Sequence, residues 1–220
     1  MRILFAADVP PDINTGAAGT ELQTIEALRA RGHQVDTIWA EDLTRRIRHG
    51  NLHYLLELPR TYRSAIATKW QSCAYDVVHI NQAHGWLAAR DHHKKKRPGV
   101  VVIRSHGLDD HMEKTLAPWR KKIGIPARRG WRRYGGGLVD VCLDRHMRLA
   151  AKEADGFIVS SSLDRAYLIN HHHIQQKKIA AIAQAPPRSF LDMPAIEMGR
   201  VRLNRVLYVA GFAWFKGSDT

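Results

Sequence analysis

Residues 1–40 run as an apolar segment, a glycine-containing loop, an amphipathic stretch and a second apolar segment, and this order constrains the fold more than any other feature. Met1–Ala7 (MRILFAA) is nearly all apolar, as a central parallel strand buried on both faces should be. Thr20–Arg31 places Leu22, Ile25 and Leu28 at helical spacing, with Gly32 as the stop. Gln34–Trp39 reads as the second strand. A strand, helix and strand in this order form the opening unit of a doubly wound sheet. Such a unit presents a helix N-terminus, whose unpaired N–H groups and dipole favour an anion, and phosphate is the best candidate.

The same alternation continues. Strands are expected at Asp76–Ile80, Val100–Ile103, Gly156–Ser160 and Ile179–Ala183, and helices around Trp86–Ala88, over Leu138–Ala154 and from Ser162. Residues 42–72 are helical in pattern but interrupted by Pro59, and Asp109–Gly137 is a long basic segment with no assigned element. The alternation favours a parallel α/β sheet over segregated α+β. Residues 1–184 read as one Rossmann-like domain and 185–203, with Pro186, Pro187, Pro194 and Gly199, as a linker. At 204–220 a fresh apolar strand begins. A lone strand is not stable, so it either joins the edge of the first sheet or opens a second domain.

Charge narrows the partners. Lys and Arg number 34 against 21 acidic residues, a net +13 that attracts polyanions or an anionic surface. No nucleic-acid-binding motif accompanies it, so nucleic acid is not an expected partner. Trp119–Tyr134 concentrates the surplus: Arg120, Lys121, Lys122, Arg128, Arg129, Arg132 and Arg133, without an acid and flanked by Trp119 and Trp131. Two uses compete with a plain solvated loop: an anionic membrane surface with the tryptophans as anchors, or an anionic acceptor. Two cysteines, Cys73 and Cys142, make no disulfide framework and point to a reducing compartment. With no signal peptide or membrane span in view, the expected location is cytoplasmic.

TGAAGT (Thr15–Thr20) lacks the first glycine of the dinucleotide fingerprint, and no clean acid follows the second strand at ribose distance, although Asp36 and Glu41 lie nearby. His106 follows the fourth strand, where ligands bind in open α/β sheets. A neutral imidazole there accepts a hydrogen bond and orients a hydroxyl. His79, Asn81, Gln82 and His84 end the preceding strand, with His79 and Asn81 on one face. His79 reads as a strand histidine tucked against the next helix. The tracts His92-His93 and His171-His172-His173 lack acidic or cysteine companions at ligand spacing and read as solvated positions, so no metal is expected.

Several pieces, in order, resemble the N-terminal domain of family 4 glycosyltransferases, retaining enzymes with the GT-B fold of two facing Rossmann-like domains. They are MRILFAADVPPD, the Gly16 loop with LRARGHQV, YDVVHINQ, VIRSHG, ADGFIVSS, QKKIAAIAQA and VLYVAGFAWFKGSD. The resemblance implies transfer of a hexose from a nucleotide diphosphate-sugar to a carbohydrate or lipid-linked acceptor, with retention, in work such as polysaccharide biosynthesis. It implies that Gly16 and Ala17 approach the donor diphosphate and that His106 faces the reacting groups. Asn81, Gln82 and His84 would shape the acceptor pocket. In the second domain Lys216 matches the family's diphosphate-neutralising lysine, while Phe212 stands where the family usually has arginine. No metal or cofactor is implied beyond the donor itself. The family's downstream glutamates have no counterpart here, so the chain is expected to be the acceptor half, cut at the start of the donor domain. A non-catalytic binding module, or one half of a split enzyme, is the rival expectation.

Overall fold

The computed structural model describes residues 1–124, 131–184, 192 and 194. Met1–Ala185 form one compact unit. Its centre is a six-stranded sheet of β1 (Arg2–Ala6), β2 (Gln34–Ile38), β3 (Val77–Asn81), β4 (Val100–Ser105), β5 (Gly156–Val159) and β6 (Ile179–Ala181). Their order is β2-β1-β3-β4-β5-β6, and every pair is parallel. The α/β, Rossmann-like reading therefore holds. The order reverses between β1 and β3, which opens a crevice at the carboxyl ends of those strands, the usual ligand position in such sheets.

Helices cover both faces. α1 (Gly16–Ala30) lies over Ile3, Phe5, Val35 and Val77 through Ile25, with Leu22 and Leu28 partly buried beside it. It stops at Gly32, whose φ of 81° suits glycine and lets the His33 N–H return to the Leu28 carbonyl. On the other face, α3 (Leu58–Ser72) and α4 (Trp86–Lys94) bury Leu58, Tyr62, Ile66, Ala88 and Ala89 against Leu4, Val78, Ile80 and Val101. α6 (Trp131–Glu153) and α7 (Ser162–His172) close the β4–β6 end, where Met147, Ala150 and Leu168 pack on Ile103, Phe157 and Val159.

Two segments differ from the sequence reading. Pro59 does not interrupt a helix. A short helix, α2 (Gly50–Leu52), passes through a π-helical turn, His53–Glu57, into α3, and Pro59 sits in the first turn of α3, where no N–H is needed. In the basic segment, Asp109–Lys122 forms helix α5 and α6 begins at Trp131. Pro118 and the triple glycine Gly135–Gly137 lower helix propensity there, yet the chain is helical around both. The packed half of α6, with Met147 and Ala150 buried, anchors the rest. The linker at 185–203 and the strand from 204 lie outside the described residues, apart from Asp192 and Pro194.

Candidate functional site

A cleft of about 1400 Å³ opens at the carboxyl edge of the sheet. Its polar side is supplied by the residues that follow three neighbouring strands: Asp8 after β1, Asn81 and Gln82 at the end of β3, and His106 after β4. Ala17, in the first turn of α1, borders it, and Leu52 of α2 with Tyr54, Leu55 and Leu56 of the π-helical turn form an apolar wall with Leu138 and Leu143 of α6. The turn is held open by Glu57, which accepts from the Arg46 and Ile47 N–H groups at 2.8 and 3.0 Å and pairs with His53 Nδ1 at 2.8 Å. The hydrogen bonds from His53 and then from the Ile47 backbone pull the Glu57 carboxyl down to about 2.

His106 is positioned from both ring nitrogens. Its Nε2 lies against Glu21 Oε1, and its Nδ1 is 2.9 Å from the Gln184 amide nitrogen. An ionised carboxylate only accepts and an amide N–H only donates, so the ring carries its proton on Nε2 and offers a lone pair at Nδ1. Glu21 is itself fully buried. Its second oxygen accepts from Arg104 Nη1 at 3.0 Å, and Arg104 also donates to Thr24 Oγ1 at 3.0 Å. Arg104 reaches α1 because parallel pairing places it beside Asn81, on the face that His79 and Phe5 share.

Asn81 is buried with Oδ1 unpartnered among the described residues. Its carbonyl accepts from Tyr62 Oη at 3.3 Å, and the same hydroxyl lies 3.4 Å from Asp8 Oδ1. Burial raises the Asp8 carboxyl above its ordinary range, against the hydrogen bonds that favour the ionised form. Gln82 has φ 67°, a conformation uncommon outside glycine. It is fixed by its N–H to the Arg104 carbonyl at 2.8 Å and by Ser105 Oγ donating to its Oε1 at 3.1 Å. His84 is buried with Nδ1 3.1 Å from His146 Nδ1, one ring donating and the other accepting. Burial drives His84 down to about 3 and lowers His146 as well.

At the start of α1, Gly16 faces open space, and the Thr15 side chain bonds to the Asp12 carbonyl at 3.0 Å instead of capping the helix. The crowded position is Gly19, where a β-carbon would stand 2.6 Å from the Ile13 carbonyl oxygen. The structure thus brings Ala17, Asn81, Gln82, His84 and His106 to one cleft, with Gly16 beside it. His79 is not among them: it is buried, stacked on Phe5 at 4.0 Å between ring centres, and burial pushes it down to about 3. Lys216, Arg128 and Arg129 lie outside the described residues. Trp131, Arg132 and Arg133 open α6. On α5, Lys121 and Lys122 are exposed, Trp119 is half exposed with the Lys122 ammonium 4.7 Å over its ring, and Arg120 adjoins them.

Sequence reasoning missed Asp8, Glu21, Arg104, His146 and Gln184. One signal was available: Ala18, Glu21 and Ile25 fall on one stripe of α1, so an acid stands in an apolar face. The histidine tracts also depart from expectation. His92 and His172 are buried, not solvated.

The sequence model of one protein family, described as Glycosyltransferase Family 4, matches residues 15–184. No curated protein matches the chain. Among solved structures, the catalytic domain of starch synthase IV from Arabidopsis thaliana, bound to ADP and acarbose, is similar at 11% identity and a TM-score of 0.53, over 83% of this chain and 51% of that one. Sucrose-phosphate synthase from Thermosynechococcus elongatus is similar at 17% identity and a TM-score of 0.51, over 88% of this chain and 53% of its own. This chain spans about half the length of either structure.

Proposed function

Since the chain belongs to glycosyltransferase family 4, we propose that it is the acceptor-side domain of an enzyme that moves a hexose from a nucleotide diphosphate-sugar to a carbohydrate or lipid-linked acceptor with retention. The observation that carries this reading is the convergence of Asp8, Asn81, Gln82 and His106 on one cleft beside a helix N-terminus that Thr15 leaves uncapped. The donor diphosphate would lie against the first N–H groups of α1 at Gly16 and Ala17, with Lys216 as a further positive partner. These fixed positive ends would stabilise the charge that develops as the sugar–phosphate bond breaks, with no metal. The acceptor oxygen would then bond to the same face of the sugar, and its proton would leave with the departing group.

His106 would serve through Nδ1. Its present partner, Gln184, is exposed, so a sugar hydroxyl can replace that amide at the same lone pair. Glu21 keeps the other nitrogen protonated and the ring fixed. Asn81, Gln82 and His84 would line the acceptor side, and the leucine wall would cover an apolar sugar face or a lipid linkage. The cationic face of α5, with Trp119, would hold the enzyme peripherally on an anionic membrane surface on the cytoplasmic side, where polysaccharide precursors are assembled. Among the described residues no helix is long and apolar enough to cross a membrane.

The test uses the native polypeptide, its mass first measured from source cells, incubated with uridine, guanosine and adenosine diphosphate-sugars and with oligosaccharide or lipid-linked acceptors. Acceptor-dependent release of nucleoside diphosphate, lost in His106→Ala, with a product of the donor's anomeric configuration, is the expected result. Acceptor binding without turnover of any donor would overturn the transferase reading in favour of a binding module.

A further inference from the structure

Away from the cleft, three helices bring together Asp110 of α5, Asp144 of α6 and His171 and His172 of α7. One ligand atom from each lies within 4.8 Å of all the others. His172 Nε2 is 2.7 Å from Asp110 Oδ2, and His171 Nε2 is 3.5 Å from Asp144 Oδ1. These distances bracket the separation of about 3.3 Å that tetrahedral ligands have at metal bonds of 2.0–2.1 Å. Adjacent histidines seldom serve one centre from a helix. Here α7 ends at His172, and the two rings stand edge to face with centres 4.9 Å apart.

Positive charge already borders this cluster: Arg148 pairs with Asp144 Oδ2, and Lys114 reaches two of the four groups. Lys114 Nζ donates to Tyr167 Oη at 2.8 Å and to His171 Nε2, and lies 3.7 Å from Asp144 Oδ1. The Tyr167 hydroxyl donates a hydrogen bond to Asp110 Oδ2 at 2.8 Å. An ammonium held by a carboxylate, an imidazole lone pair and a phenol marks a cation position. Its side chain is flexible and half exposed. Two carboxylates and two imidazole nitrogens make a donor set suited to zinc or a similar divalent transition metal.

We propose that Asp110, Asp144, His171 and His172 form a binding site for a zinc-like divalent ion, in which Lys114 occupies the cation position when the metal is absent. The ion would clip α5, which begins three residues after His106, to α6 and α7. None of the four residues lines the cleft, although Asp110 borders a small pocket with Gln82 and His84, and failure of the metal site leaves the transferase reading untouched.

Cobalt(II), which reports tetrahedral coordination through its visible d–d bands, is titrated into the chelator-treated protein, and zinc then competes it off. One equivalent with intense bands is expected, together with a higher Tm in zinc. His171 is exposed and Asp144 partly so, which makes His171→Ala and Asp144→Asn safe variants. Each should weaken binding at least about tenfold while circular dichroism stays unchanged. Lys114→Met, which removes one of the two charges on Asp144, should tighten binding about tenfold. Absence of the bands, or binding that His171→Ala and Asp144→Asn leave unchanged because exposed histidines elsewhere supply it, would overturn the site. A Lys114→Met protein with unaltered affinity would overturn the exchange with the ammonium.

Discussion

Arg104 and Glu21, 83 residues apart in sequence, meet at 3.0 Å beneath α1, and the carboxylate between Arg104 and His106 has no exposure to solvent. A buried pair is weak evidence of net stabilisation, but breaking one side leaves an uncompensated charge. Glu21→Ala should therefore cost about 3–5 kcal/mol, read by urea unfolding. Replacing both partners, as Glu21→Leu with Arg104→Met, should return most of that loss. A double variant as unstable as the single one would show that the pair supports the fold through something other than charge.

His106 and Gln184 separate by kinetics. His106→Ala should lower kcat by about 10²-fold if the ring orients the reacting hydroxyl, a usual magnitude for a positioned imidazole. Gln184→Ala frees Nδ1 from its internal partner, so KM for the acceptor should fall a few-fold with kcat unchanged. Equal kcat losses in both variants would mean that Gln184 belongs to the reacting site and does not merely fill it.

The sheet was legible because its strands are short apolar runs between turn signals, and because the helix that follows β1 carries a clean stripe. α5 was not, since Pro118 lies inside it and its apolar residues do not repeat. The same contrast holds at the site. His106 and Asn81 are legible because the one follows and the other ends an apolar strand, which fixes them at the carboxyl edge. Glu21 and Gln184 meet His106 across 85 and 78 residues, and only the parallel register brings them there. His171 and His172 were read without acidic companions because Asp110 and Asp144 stand on other helices.

His79 and His84 should make the fold acid-labile. Both are driven from 6.5 to about 3 by burial. A depressed histidine contributes fully above its unfolded pKa, and that contribution is lost as pH falls from about 6.5 toward 3. Near pH 5 each should cost about 2 kcal/mol relative to pH 7.5. Denaturant unfolding at the two pH values measures the loss. His84→Gln, which does not titrate, should reduce the difference by roughly one histidine's share, and an unchanged difference would place the acid sensitivity elsewhere.

The two glycines at the start of α1 predict opposite outcomes. At Gly19 an added methyl meets the Ile13 carbonyl oxygen at 2.6 Å, a backbone atom that cannot turn away. Gly19→Ala should cost about 1–3 kcal/mol through overpacking. At Gly16 nothing lies within 4 Å, so Gly16→Ala should leave Tm unchanged or raise it slightly, since alanine favours the helix. The methyl would nonetheless occupy the diphosphate position. Titration of the folded variant with a nucleoside diphosphate should show affinity lower by about tenfold or more, equivalent to about 1.4 kcal/mol. Unchanged affinity would move the donor phosphates away from this helix end.

Asp8 sets stability against use. Burial raises its carboxyl, so folding disfavours the ionised form. For an acid with a raised folded pKa, the stability present at low pH is lost as pH rises through that value. Asp8→Asn removes the charge while keeping the shape. Its Tm should exceed that of the parent by about 2–4 °C at neutral pH, and the gap should close below the ordinary carboxylate range, where both side chains are neutral. The same variant should transfer sugar more slowly, because Asp8 stands in the cleft 3.4 Å from the Tyr62 hydroxyl, where an acceptor hydroxyl would need a charged acceptor group. A variant that gains stability and keeps full activity would reduce Asp8 to a half-buried acid with no part in the site.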